Sequence, residues 1–382
     1  MLTAQNKCGM QKRRLWLRTL MLTVVLVTIY AVVVVPTVRG LNAPDVITLS
    51  PSEYAALADP TAPTTGDGDG GQKYITVKLF NLIPLKRVLV NVLPYDEVIL
   101  GGLPVGLCGQ IDGVLVTADS PDRVLRTGDI ITAVNGHTVA CLADLTAATS
   151  GQSSVTVTLR RGTQNLTKTV TPSADWALRD TTAGVGIITM VNPADNTYTA
   201  LGHPMTDSDT GTAVNLRGGK IYAVKTHGIV KTANQQTGVI ESSIRENTPE
   251  LGSITRGTAF GVTGCLTADS PLREQLTTTL PVATRYHVKP GKATLCTALD
   301  GVTVTEYSCE IIKTRYQNQP QDKSMIIRVT DPRLLDQTGG IVHGMSGSPI
   351  IQDGHLVGVL THALTRDAAK GYALYIDFVA TN

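Results

Sequence analysis

Hydrophobic residues along this chain form one long run and then many short ones. Residues 19–35, "TLMLTVVLVTIYAVVVV", carry no charge. With Leu15, Trp16 and Leu17 the run approaches the ~20 residues that a helix needs to cross ~30 Å of hydrocarbon. Lys7, Lys12, Arg13, Arg14 and Arg18 precede it. The pattern predicts an N-terminal transmembrane helix acting as a signal anchor over residues 1–38, with the basic tip in the cytoplasm and everything after Arg39 on the other side. A cleaved signal peptide and a buried core helix are the alternatives. The run is longer than an ordinary signal h-region, and no small-x-small cleavage site follows it. Residues 61–72, "TAPTTGDGDGGQ", offer nothing to bury, so 39–72 is expected to be a flexible linker.

From Tyr74 the apolar runs become short and are separated by Pro and Gly, as in "YITVKLFNLIPLKRVLVNVLP", "EVILGGLPVGL" and "GVLVTA". Such runs predict strands joined by turns, and Asn135-Gly136 after "DIITAV" is a tight-turn signal. "CLADLTAAT" is compatible with a helix, and "SSVTVTLRRGTQNLTKTVTP" reads as a hairpin. In the β-rich region 73–172, the stretch 98–172 resembles a PDZ domain of the kind found beside bacterial exported proteases. The resemblance rests on Val105-Gly106-Leu107, Gly128-Asp129-Ile130-Ile131 and Val134-Asn135-Gly136. It implies a groove that takes an extended peptide as an added strand, with the Val105, Gly106 and Leu107 loop receiving a terminal carboxylate. "SPDRVLRTGD" is about two residues shorter than the usual protease-associated form, which implies a truncated first helix.

Between Asp175 and Asn382 the strands are rich in Val, Thr and Gly, and long amphipathic periodicity is absent. Some 200 residues of this kind predict closed barrels or a sandwich, not an α/β sheet with crossover helices. Composition agrees. Apolar residues make up 42 % of the 382 residues but aromatics only 4 %, so the core must be built from Val, Leu, Ile and Ala. The net charge of +2, from 33 basic and 31 acidic side chains, gives no field that would recruit nucleic acid. The six cysteines have no metal-ligand spacing, and five of them follow the anchor. They are expected to be small buried hydrophobes, and neither a metal nor a cofactor is predicted.

The chemistry concentrates in "GGIVHGMSGSPIIQDGHLVGVLTH", residues 339–362. Peptide-bond attack by a serine needs an imidazole to take its proton and amides aimed at the developing oxyanion. Gly344-Met345-Ser346-Gly347 can present the Ser346 hydroxyl on a sharp turn, with the backbone amides of Gly344 and Ser346 as the oxyanion hole. Ser348 is the rival serine, although Pro349 follows it and it lacks the Gly-x-Ser-Gly frame. Among seven histidines, His203 in "TALGHPMTDSDTG" ends an apolar strand, which suits a residue facing a cleft. His343 and His362 flank the serine segment and remain rivals. No His-x-x-x-His or carboxylate cluster points to a metal hydrolase.

Taken together, the anchor, the PDZ-like stretch, "TALGHPMTDSDTG", "RVTDPRLLDQTGGIVHGMSGSPIIQDG" and "GVLTH" closely resemble the stage IV sporulation protein B peptidases, which are grouped with trypsin-like serine proteases. The resemblance implies a trypsin-like double β-barrel over 175–382, with Ser346 as nucleophile, His203 as base and Asp331 of "VTDPRLL" as the associated acid. Asp331 lies in the serine's half of the chain, whereas the orienting aspartate of such barrels comes from the histidine's half, so Asp207 and Asp209 compete for the role. The implied function is a membrane-anchored serine endopeptidase of sporulation signalling. It is expected to act in the space between the two spore membranes after release from the forespore. Its expected substrate is a regulatory membrane protein of an intramembrane protease complex, whose cleavage leads to processing of a late mother-cell sigma-factor precursor. Self-cleavage near the N-terminus is expected, since the linker is sterically open. The PDZ ligand is expected to be a peptide, from a partner or from this chain. The alternative is a non-catalytic anchored PDZ scaffold with a protease-like domain.

Overall fold

The computed structural model describes residues 20–28, 30–57, 73–80, 82–233, 236–245, 247–321, 323–364 and 366–380. The basic tip and residues 61–72 of the expected linker lie outside them. The chain divides into two compact units, Met1–Val92 and Leu93–Asn382.

In the first unit the expected transmembrane helix is corrected. Among the described residues, no helix is long and apolar enough to cross a membrane. The apolar run is helical over 20–28, becomes a π-helix at Tyr30–Val34 and continues as the short helix Val35–Leu41. Pro36 has no N–H to give to the regular i→i−4 ladder, and the wider turn sits directly before it. Strand β1 (Val46–Leu49) and a helix, Pro51–Leu57, follow inside the stretch expected to be linker. The helix is held by a capping box, in which Ser50 Oγ accepts from Glu53 N at 3.2 Å and Glu53 Oε2 accepts from Ser50 N at 2.7 Å. Strands β2 (Lys73–Leu79) and β3 (Ile83–Val92) complete a three-stranded sheet in the order β1-β3-β2.

The second unit contains two closed barrels. Its strands begin with β4 (Glu97–Leu100), β5 (Pro104–Val116), β6 (Ile130–Val134), β7 (His137–Thr138), β8 (Val155–Arg161), β9 (Gln164–Val170) and β10 (Leu178–Val191). They continue with β11 (Thr197–Ala200), β12 (Met205–Thr206), β13 (Ala213–Val214), β14 (Leu216–Tyr222), β15 (Val224–Val230), β16 (Val239–Ile244), β17 (Gly252–Thr258) and β18 (Gly261–Leu266). Strand β10 pairs with both β11 and β5, so β5-β10-β11-β18-β17-β14 closes into a six-stranded barrel. Its interior is aliphatic, with Val105, Leu107, Ile188, Ala200, Ile221 and Ile254 buried together, as the aromatic-poor composition requires.

Strands β5 and β10 run on past this barrel as a shared ribbon, with Leu178 opposite Val116. The ribbon carries a small module of β6, β7, β8, β9 and the helix Leu142–Thr149, which has its own core of residues such as Val114, Ile131, Leu145, Val157 and Leu159. Buried Asp129 anchors the module through Arg161, whose Nε lies 2.7 Å from the carboxylate.

Beyond β19 (Thr279–Pro281), six strands form the second closed barrel in the order β20-β21-β22-β25-β24-β23. They are β20 (Gly291–Thr297), β21 (Thr305–Thr314), β22 (Met325–Val329), β23 (Pro349–Gln352), β24 (His355–Leu364) and β25 (Asp367–Tyr375). Leu295, Ile311, Ile327, Ile350, Leu360 and Ala373 fill it. Another apolar cluster, including Val98 and Met190 on one side and Cys296, Val359 and Leu374 on the other, joins the two barrels. The mainly β, double-barrel expectation therefore holds. The cysteine expectation holds in part: Cys296 and Cys309 are buried, whereas Cys108, Cys141 and Cys265 are partly exposed.

Candidate active site

The nucleophile loop links the end of the helix Pro332–Thr338 to β23. Gly344 and Gly347 adopt φ of 97° and 100°, values that side chains disfavour. A Cβ on Gly347 would also lie 2.1 Å from the Ile187 carbonyl oxygen, so the backbones of the loop and of β10 meet where no side chain fits. Two bonds fasten the loop to the first barrel: Ile187 N donates to Ser346 O at 3.0 Å, and Thr189 Oγ1 donates to Gly347 O at 2.8 Å. Gly347 N donates to Leu360 O of β24 at 2.9 Å, tying the same loop to the second barrel.

This turn leaves Ser346 half-buried, with its hydroxyl donating to Thr361 O at 2.7 Å. Ser348 is fully buried, and its hydroxyl donates to Met345 O at 2.7 Å to close the turn. The two serines thus divide the work, Ser346 presenting a hydroxyl at the cleft and Ser348 holding the loop. Among the described residues, neither the Gly344 nor the Ser346 amide donates to another backbone carbonyl, as the expected oxyanion donors require.

His203 follows β11 after a turn in which Leu201 and Gly202 both take positive φ. Gly202 packs against Val359 and Thr361 of β24, so the turn enters the second barrel's side of the site. His203 Nδ1 lies 2.8 Å from Pro204 O. A carbonyl can only accept, so Nδ1 carries the proton and Nε2 keeps its lone pair, the tautomer that a general base needs. The ring lies 4.8 Å from that of His362, the residue next to Thr361. Ser346, His203 and His362 are therefore gathered where the two barrels meet. Proton transfer requires the Ser346 hydroxyl to turn from Thr361 O toward His203.

Burial pushes His203 down from 6.5 to about 4; the Pro204 carbonyl opposes this, while His362 and His343 add to it. The imidazole consequently remains neutral through mildly acidic pH. We expect kcat/KM on an uncharged peptide to fall with acid around pH 4, not around pH 6.5, which a pH–rate profile measures. The same depression subtracts stability as pH falls from 6.5 toward about 4, because the unfolded chain takes up the proton first.

None of the three aspartates considered for the acid has a bond to His203 among the described residues. Asp331 is the N-cap of the helix Pro332–Thr338, accepting from Arg333 N at 2.9 Å and Ser308 N at 3.1 Å. The Arg333 side chain binds it at 2.8 and 3.0 Å and, aided by these amides, holds its carboxyl well below the usual range. Buried Asp207 binds Arg179 at 2.7 Å, and Asp209 binds the same guanidinium at 2.9 Å. The place expected for an aspartate beside His203 is filled by the Pro204 carbonyl, which sequence reading had no means to find because every residue carries one. Asp331 acts on the site by capping the helix that leads into the nucleophile loop. Asp331→Asn is expected to cost about 1–2 kcal/mol, read as a lower urea midpoint, without moving the pH–rate midpoint.

The expected carboxylate-binding loop is corrected as well. Val105, Gly106 and Leu107 lie within β5, hydrogen-bonded between β10 and β14, and Val105 and Leu107 point into the first barrel's core. Their alternation is that of a core strand, and their amides belong to the barrel ladder.

Two closed barrels meeting at a presented serine and a neutral, half-buried histidine define a serine peptidase of the double-barrel class. The SpoIVB peptidase S55 family matches residues 175–379, more than half of the chain, and the protein belongs to it. No curated protein matches. Among solved structures, an inactive form of the Rv3671c protease shares 15 % identity with a TM-score of 0.24, over 52 % of this chain and 82 % of its own. An inactive serine-to-alanine mutant of Rv3671c from M. tuberculosis H37Rv shares 12 % identity with a TM-score of 0.23, over 72 % of this chain and 83 % of its own.

Proposed function

We propose that this peptidase serves sporulation signalling, cleaving a regulatory membrane protein of an intramembrane protease complex so that a late mother-cell sigma-factor precursor is processed. The observation that carries this reading is the match to the SpoIVB peptidase family across the segment that holds His203 and Ser346. The expected site of action is the space between the two spore membranes. A non-catalytic scaffold gives way to the enzyme, since the family is one of peptidases and the matched segment contains both His203 and Ser346.

The small module between β5 and β10 is assigned, in this reading, to holding a peptide from the regulator or from this chain. Self-cleavage is expected N-terminal to the barrels, in or near the stretch 61–72, whose Pro, Thr, Gly and Asp composition offers nothing to bury. Purified full-length chain is expected to cut the extracytoplasmic segment of the regulator and to shorten itself from the N-terminus. A Ser346→Ala chain of unchanged length and a wild-type chain that shortens support the self-cleavage; the same shortening in both overturns it.

A further inference from the structure

The hairpin of β15 and β16 belongs to neither barrel, yet it touches the nucleophile loop. Strand β16 is paired along its length with β15, from Val239 opposite Val230 to Ile244 opposite Val224. Its other edge holds the loop only at the start: Ile240 N donates to His343 O at 2.9 Å, and His343 N donates to Gly238 O at 2.8 Å. Past Ile240, among the described residues, that edge has no strand partner. A cleft of about 660 Å³ opens there, lined by Gly184 and Val185 of β10, by Glu241 and Ser242 of β16, and by His343 and Gly344 of the nucleophile loop.

Gly344 is also the residue whose amide is expected to serve the oxyanion, two residues before Ser346, so the cleft reaches the nucleophile loop. An open strand edge offers a row of backbone donors and acceptors, and an extended polypeptide is the ligand that matches them. Charge narrows the choice further. Glu241 is the one carboxylate among the lining residues, which also include His227 and His343 but no lysine or arginine.

We propose that the open edge Glu241–Ile244 receives the polypeptide substrate as an added strand beside the scissile bond, and that Glu241 selects a lysine or arginine in that stretch. The proposal rests on Ser346 being the nucleophile. It assigns to the hairpin a specificity role that neither barrel supplies.

The test uses full-length protein and pairs of peptides identical except for lysine or its neutral isostere norleucine, placed in turn at each position flanking the cleaved bond. Wild type is expected to favour lysine at one position by tenfold or more in kcat/KM, mainly through KM. Glu241→Gln removes that preference, bringing the lysine peptide to the rate of its norleucine counterpart in the same variant, and Glu241→Lys transfers it to glutamate. N-methylation of single peptide amides lowers the rate at positions that pair with the edge. A fluorophosphonate that labels Ser346 reports catalytic competence separately. Equal rates on both peptides in wild type and Glu241→Gln, with labelling intact, overturn the assignment of the edge; absence of labelling in wild type overturns the peptidase mechanism itself.

Discussion

Ser346→Ala is expected to abolish peptide cleavage, by roughly 10⁴- to 10⁶-fold in kcat, while the protein stays folded. The substitution removes the atom that forms the acyl bond, and no neighbouring hydroxyl can replace it, since Ser348 is fully buried and donates to Met345 O. In the folded state it removes one hydrogen bond, to Thr361 O, from a half-buried side chain, a loss of about 1 kcal/mol. The glycines that set the turn and the bonds from Ile187 and Thr189 remain. Ser348→Ala should show the reverse division, losing about 1 kcal/mol or more of stability with the chemistry kept. Steady-state rates and urea midpoints of the two variants separate the roles. An active Ser346→Ala beside an inactive, folded Ser348→Ala would falsify the assignment.

The second large effect concerns stability. Arg285 and Asp377 form an ion pair that is almost wholly removed from water, with side chains 5 % and 0 % exposed. Arg285 also lies 4.8 Å from the centre of the Tyr286 ring and 4.7 Å from that of Phe378. Burial pushes the Asp377 carboxyl up, against the pull of Arg285. Asp377→Ala, at the start of the C-terminal helix Ile376–Ala380, takes the carboxylate from a buried guanidinium whose Nη2 also donates to Tyr286 Oη at 3.0 Å, and should cost about 3–5 kcal/mol. That is a large part of the stability of an ordinary domain, so we expect a lowered unfolding midpoint and a reduced soluble yield. Replacing both partners with apolar residues of similar volume should recover much of the loss, because the single change is costly mainly through the stranded charge. A single variant as stable as wild type would show that water reaches Arg285.

Much of the second unit was legible in the order of its residues. Short runs rich in Val, Ile and Thr, broken by Gly and turn residues, have one economical way to bury an aliphatic side each, and closed barrels provide it. The Gly-x-Ser-Gly frame around Ser346 was equally legible, because its constraint is local: φ near +100° on both glycines and a backbone approach that admits no Cβ. The two misreadings share a cause. Residues 19–35 have the hydropathy of a spanning helix, but hydropathy does not register the break in helix type before Pro36. Val105-Gly106-Leu107 reads equally well as a binding loop or a core strand until its partners on β10 and β14 are known.

The aspartates show where local reading ends. In the fold Asp331 is a helix N-cap, with Pro332 opening the helix, rather than the acid its motif suggested. Which group orients His203 is decided by the turn after β11, which brings the Pro204 carbonyl to Nδ1, while Arg179 claims Asp207 and Asp209. Residue type and spacing are enough to nominate a nucleophile, a base and the strands that carry them, since these depend on neighbours in the chain. The partner of the base, the free edge of β16 and the carboxylate along it depend on contacts between segments tens to hundreds of residues apart, and those exist only once the barrels have closed.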